Sequence, residues 1–188
     1  MSKTHLARSE RSGLCDALIQ TGPGAPTLCE GWLARGPLAK LTERSMAVAV
    51  RTLGFVGVVA KVRSGPPALW RPVDDLANLV EFFVHTEDVR RAVPDWEPRQ
   101  DPQLDEALWS RLSAMAKLMA HSLKGTGLEL ESSDGRRIVA RKGEPRATLR
   151  GGAQELVLYL YGRGGVADVT LRGDEQAQEA VRAARFGI

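Results

Sequence analysis

Residues 80–91 have the sequence VEFFVHTEDVRR, which combines a helical pattern with polar residues suited to a site. At about 100° per residue, Glu81, His85 and Asp88 fall on one narrow stripe. The stripe continues toward the N-terminus through Asn78 and Asp74. The opposite face is apolar and comprises Leu76, Leu79, Val80, Phe83 and Val84. This pattern predicts a helix over residues 72–93, begun by Pro72 and ended by Pro94.

Three more helices are predicted before residue 125. The first spans residues 4–20 and stops at Gly22-Pro23-Gly24. The second spans residues 38–63, although its valine-rich middle also suits a strand. The last begins at the cap pair Asp101-Pro102 and ends at Gly125. Four helices with mostly short connections favour an antiparallel four-helix bundle over residues 1–125.

After Gly125 the apolar period changes from about 3.6 to 2, which predicts strands. Ser133-Asp134-Gly135 is typical of a hairpin turn. The predicted strands cover residues 128–132, 137–141, 146–150 and 166–171, and the predicted helices cover 154–162 and 174–184. The fold class is therefore α+β, with a small α+β unit over residues 126–188 after the bundle.

The composition excludes several classes of protein. The 188 residues are 43% hydrophobic and 26% charged, which is typical of a globular chain. Proteins that bind nucleic acid usually carry a clustered basic stripe, and a net charge of only +3 gives no evidence of one. We therefore expect no nucleic-acid partner. No apolar run reaches the roughly 18 residues of a membrane span. Two cysteines and no secretory signal lead us to expect a cytoplasmic location.

Glu81 and His85, four residues apart, could offer an oxygen and a nitrogen to one metal ion. The alternative is that the stripe is the solvated face of an amphipathic helix. Asp88 could be a ligand, a hydrogen-bond partner of the imidazole or a solvated carboxylate. Zinc generally needs at least three protein ligands, so the pair alone does not make a site.

The segments 28–32 (LCEGW), 80–91 and 151–163 occur in the order found in an actinobacterial family. That family resembles the metal-binding domain of mycothiol-dependent maleylpyruvate isomerase, one of the DinB-like four-helix bundles. The resemblance covers nearly the whole chain. It implies that Glu81 and His85 are two of three ligands to zinc or another divalent metal, with mycothiol as a possible cofactor. The implied partners are a small-molecule thiol and an electrophile.

The third ligand of the family, a histidine on the second helix, is missing, and Lys40 stands near its expected position. Either Lys40 occupies that place and pairs with Glu81, or the segment is deleted and Lys40 is exposed. The other histidines, His5 and His121, are predicted to lie on the surface. Cys15 and Cys29 are predicted to be small buried residues.

Two functions remain open at this point. One is a thiol-dependent isomerase or transferase in which a metal-activated thiolate adds to an electrophile. The other is a metal-free, non-catalytic module that binds a small molecule or a partner protein.

Three further patterns have a structural and a functional interpretation. Alternation places four arginines on one sheet face, either to bind an anion or to pair with Glu129 and Glu131: Arg137, Arg141, Arg146 and Arg150. The glycine-rich segment 162–165 favours a turn over a phosphate loop. The tryptophans are predicted to be packing residues: Trp32, Trp70, Trp96 and Trp109.

Substitutions of Lys40 separate its two interpretations. If Lys40 replaces the histidine, Lys40→His should raise zinc affinity because it completes a three-ligand set. On the same interpretation, Lys40→Met should cost roughly 3–5 kcal/mol of stability because it leaves the Glu81 carboxylate without its counter-charge. Zinc titration and urea unfolding measure these effects. An exposed Lys40 predicts no gain in zinc affinity and a stability change below about 0.5 kcal/mol.

Overall fold

The computed structural model describes residues 3–28, 52–65 and 78–187. Its contacts divide the chain into two units, Met1–Glu97 and Pro98–Ile188. The predicted division after residue 125 differs from this boundary, because the helix that begins at Pro102 packs against strands of the second unit. The α+β class is confirmed.

The described part of the first unit is helical. Its helices are α1 (Lys3–Thr21), α2 (52–64) and α3 (Leu79–Arg90). Helix α1 packs along α3. Their buried apolar side chains include Ala7, Leu14, Leu79, Val80, Phe83 and Val84. The hydroxyl of Thr86 on α3 also lies 3.5 Å from the Glu10 carbonyl oxygen on α1, and it donates more closely to Phe82 within its own helix.

Helix α2 is joined to α1 by a buried thiol and an exposed ion pair. The Cys15 Sγ lies 3.6 Å from the carbonyl oxygen of Val59, and burial raises the pKa of this thiol. Arg63 Nη2 lies 2.7 Å from Asp16 Oδ1. Gly65 ends α2 with φ +66°, and a Cβ there would collide with the Arg11 guanidinium. The predicted burial of Cys15 is confirmed, whereas Cys29 lies outside the described residues.

The predicted four-helix bundle is not established by the described residues. The whole of the first predicted helix and the second half of the second one are helical as expected. Residues 38–51 and 72–77 of the predicted helices lie outside the described part of the chain. The fourth predicted helix forms, but it belongs to the second unit.

The second unit combines helices with a four-stranded sheet. Its elements are α4 (Pro102–Met119), a 3₁₀ turn (Ala120–Ser122), β1 (Gly127–Ser132), β2 (Arg137–Arg141), β3 (Arg146–Gly151), α5 (Ala153–Leu158), a π-helical turn (Tyr159–Arg163), β4 (Thr170–Gly173) and α6 (Glu175–Ala183). The sheet order is β2-β1-β3-β4. Strands β1 and β3 are parallel, and the other two pairs are antiparallel.

The core of this unit lies under α4. Leucines spaced along α4 are fully buried, as are leucines on β1 and β3: Leu104, Leu108, Leu112, Leu128, Leu130 and Leu149. The predicted hairpin between β1 and β2 is confirmed. The last strand begins at Thr170 and not at residue 166, because its register opposite Arg150 starts there.

The arginine-rich sheet face has the predicted cross-strand partners. Arg137 lies 3.1 Å from a Glu129 oxygen and 2.8 Å from a Glu131 oxygen. Arg150 lies 3.4 Å from the other Glu131 oxygen. These pairs satisfy two of the four guanidiniums within the sheet. Across the described ranges, no helix is both long and apolar enough to cross a membrane.

The cap of α4 provides a test of the sequence-derived helix start. The Asp101 carboxylate accepts hydrogen bonds from the backbone N–H groups of Gln103 and Leu104 at 3.1 and 3.0 Å. Asp101→Ala should therefore cost about 1 kcal/mol of stability in urea unfolding. Ser113→Ala, at an exposed position of the same helix, is the control and should change stability by less than about 0.5 kcal/mol. Equal effects of the two changes would contradict the capping role.

Candidate functional site

Helix α3 is buried around most of its circumference. Its apolar face is buried as predicted, with Leu79, Phe83 and Val84 at or near zero exposure. The opposite stripe is not a uniformly solvated surface. The side chains of Glu81 and His85 are 43% and 21% exposed, whereas that of Asp88 is 1% exposed. The exposed fraction of the side chains on this stripe therefore falls from Glu81 through His85 to Asp88.

His85 lies between two carboxylates on this stripe. Its Nδ1 is 3.2 Å from Asp88 Oδ2, within hydrogen-bond distance. Its Nε2 is 3.7 Å from Glu81 Oε2, which is too long for a hydrogen bond. If Asp88 is ionised, its carboxylate accepts this hydrogen bond from a proton on Nδ1. Nε2 lies on the more exposed side, next to Glu81.

A second polar group closes the C-terminal end of α3. Glu87 is fully buried, and its Oε1 and Oε2 accept hydrogen bonds from Arg90 at 2.6 Å and Arg91 at 2.7 Å. The buried Arg91 guanidinium lies 4.2 Å above the Trp96 ring, and Arg90 also donates to the Glu97 carbonyl. This group, defined here as the Glu87 network, attaches residues 91–97 to the helix.

The backbone before residue 29 meets the same helix end. The Leu28 N–H donates to the Asp88 carbonyl oxygen at 3.0 Å. This contact brings the first residue of the predicted LCEGW segment to the end of α3, beside the residue that orients His85. The remaining residues of that segment, with Trp32 among them, lie outside the described part of the chain.

The donors fit a divalent ion in type but not in number. A carboxylate oxygen and an imidazole nitrogen are suitable zinc ligands, and Asp88 holds the imidazole as such sites require. Within the residues that the structure describes, no group of three His, Cys, Asp or Glu side chains could hold a metal ion. Lys40, predicted near the place of the third ligand, lies outside the described residues. His5 and His121 are exposed, as predicted.

Sequence reasoning missed the Glu87 network. The spacings from Glu87 to Arg90 and Arg91 are those of ordinary surface ion pairs on a helix. Nothing in that spacing indicates burial. The available signal was the aromatic Trp96 shortly after the two arginines, and Trp96 was predicted only as a packing residue. Its packing role is confirmed by its contact with Arg91, and that of Trp109 by its burial.

Comparison with known structures finds a protein whose fold of helices and sheet is similar to that of this chain. The match is a crystal structure of mycothiol-dependent maleylpyruvate isomerase, in a mutant form with one histidine replaced by alanine. The alignment has a TM-score of 0.61, a sequence identity of 19%, and covers 92% of each chain. At this identity the match shows a shared fold. No protein-family model matches the chain, and no curated protein matches it in sequence.

Substitution of Glu87 tests the importance of its network. Glu87→Gln should cost roughly 3–5 kcal/mol in urea unfolding, because it leaves two guanidiniums without their buried counter-charge. The matched control is Asp16→Asn, which breaks a pair with Arg63 whose side chains are 68% and 41% exposed. That change should cost less than about 1 kcal/mol. Similar losses for both variants would show that the network has no special role in stability.

Proposed function

We propose that this protein is an enzyme that binds a low-molecular-weight thiol at Glu81 and His85, with Asp88 orienting the His85 imidazole, and uses the thiol to isomerise or transfer an electrophilic small molecule. The observation that supports this proposal is the orientation of His85, whose Nδ1 is held by a buried carboxylate while Nε2 faces Glu81. The shared fold with a protein described as mycothiol-dependent supports the thiol class. Membership of the actinobacterial DinB-like family and a cytoplasmic location are parts of the same proposal.

The residues of α3 divide the work according to burial. Asp88 orients the imidazole through Nδ1, and Nε2 is the atom that would accept a proton or bind a ligand. Glu81 is the more exposed carboxylate and is within reach of solutes. A thiol that lies against Nε2 can transfer its proton there, which leaves a thiolate nucleophile. The thiolate sulfur can then add to an electrophilic carbon of the substrate.

Zinc or another divalent metal is the cofactor that the donor pair suits. Glu81 and His85 would hold it, with a third group still to be identified. When bound, a divalent ion would occupy the Nε2 lone pair of His85 and would itself lower the pKa of the thiol, in place of proton transfer to His85. Mycothiol is the thiol we propose, because the structural neighbour is described as dependent on it.

A metal-free, non-catalytic module is the second candidate. The observation that favours it is the shortage of donors, since the described residues bring no third metal ligand to Glu81 and His85. In this case Glu81 and His85 would act as hydrogen-bonding groups for a small molecule or a partner protein. Both candidates use the same residues, so variants of these residues can separate them.

Zinc content is the first measurement. We expect the purified, untagged protein to retain near-stoichiometric zinc after dialysis, with His85→Ala and Glu81→Gln each losing it. Asp88→Asn should weaken zinc binding by about 10–100-fold, because the imidazole loses its orienting carboxylate. His121→Ala removes an exposed histidine of the second unit and is the matched control. Zinc retained in the His85 and Glu81 variants would exclude both residues as ligands.

Stability of a double variant provides an independent arm. In a zinc-bound protein, replacing both Glu81 and His85 with Leu should lower the melting temperature and abolish zinc binding. In the metal-free module, the same change should be neutral or stabilising, because it removes two partly buried polar groups. A protein that binds no zinc when zinc is supplied, and gains stability in this variant, would overturn the metal-dependent enzyme.

A further inference from the structure

An open cavity of about 800 Å³ lies wholly within the second unit, between the π-helical turn, β4 and α6. Its volume falls in the range of roughly 300–1,000 Å³ that is typical of small-molecule sites. It contains none of the residues assigned above to thiol or metal binding. Its lining therefore has to be interpreted by its own chemistry.

The described lining of the cavity is positively charged. Among the described residues, Arg182 and Arg185 line the cavity and no Asp or Glu does. Arg182 donates a hydrogen bond to the neutral Gln178 at 3.0 Å. Among the described residues, neither arginine forms an ion pair, in contrast to Arg137 and Arg150 on the sheet. Two guanidiniums that line one cavity without an ion-pair partner favour an anion.

The walls are apolar and aromatic. Val169 and Leu171 are among the apolar lining residues. Tyr159 and Phe186 also line the cavity, and their ring centroids lie 5.5 Å apart with planes tilted by 58°. Burial raises the pKa of Tyr159, so its phenol keeps its proton at neutral pH. Within the described part of the chain, the Tyr159 hydroxyl has no hydrogen-bond partner, which leaves it available as a donor to a ligand.

The glycine-rich segment 162–165 lies close to Tyr159 and Phe186 at the cavity. Gly162 has φ +84°, and a Cβ at this position would lie 3.0 Å from the Phe186 carbonyl oxygen. A Cβ at Gly164 would lie 3.1 Å from the Tyr159 ring. The segment therefore approaches the aromatic pair more closely than a chain with side chains could. The turn predicted there is confirmed, and its glycines also line the cavity.

We propose that this cavity binds a small organic anion with an aromatic or branched apolar body. The anionic group pairs with Arg182 and Arg185 and accepts a hydrogen bond from the Tyr159 hydroxyl. The apolar body lies against Val169, Leu171 and the ring of Phe186. This assignment does not depend on a thiol or a metal at His85.

The probe for the experiment is 8-anilinonaphthalene-1-sulfonate, an aromatic anion whose fluorescence rises in apolar surroundings. The wild-type protein should bind it saturably at one site, by fluorescence and calorimetry. Removing both charges with Arg182→Gln and Arg185→Gln should weaken binding at least about tenfold. The matched control removes two exposed charges outside the cavity with Lys142→Gln and Arg172→Gln, and should bind as the wild type does.

A steric variant and an independence test complete the design. Ala184→Trp places an indole at the cavity wall and should abolish probe binding while the melting temperature is retained. His85→Ala should bind the probe normally, so a failure of the thiol or metal proposal leaves this one standing. The proposal is overturned if the wild type shows no saturable binding, if both charge-removal pairs weaken binding equally, or if folded Ala184→Trp binds as the wild type does.

Discussion

A carboxylate without solvent exposure has to be matched by hydrogen-bonded cations, and Glu87 meets this requirement with Arg90 and Arg91. Because both oxygens of Glu87 are engaged by arginines at the end of its own helix, the side of α3 that carries Glu87 can be buried. The same contacts attach residues 91–97 through Trp96 and Glu97. This burial accompanies the orientation in which α3 presents the side chains of the candidate site.

The candidate site follows from that orientation. With Glu87 turned inward, Asp88 is also buried, and Glu81 is left partly open to solvent. His85 lies between the buried carboxylate of Asp88 and the partly exposed carboxylate of Glu81, which is accessible to a ligand. Two carboxylates seven residues apart on one helix thus have different tasks, and burial makes the difference. The arginines of the second unit also differ in their surroundings. Arg137 and Arg150 pair with Glu131, whereas Arg182 and Arg185 line the cavity without an ion pair among the described residues.

Local patterns predicted much of the fold. The two-residue period of β1, β2 and β3 and the cap of α4 at Asp101 are visible in the sequence because each depends on neighbouring residues. The bounds of β4 were less accurate, since Thr170 enters the sheet only where Arg150 offers a partner. The placement of α4 could not be predicted from its periodicity. A leucine face specifies that a helix is buried, but not whether helices or strands cover it.

For the candidate site, the sequence by itself determined which groups share a face: Glu81, His85 and Asp88 follow from helical geometry alone. Only the tertiary structure decided how deeply each one lies, and therefore which is an acceptor for His85 and which meets solvent. The burial of Glu87 and the open arginines at 182 and 185 were likewise decided by packing. The physical reason is that the spacing of residues in a helix fixes the face on which each side chain lies. Exposure and charge pairing instead depend on segments remote in sequence.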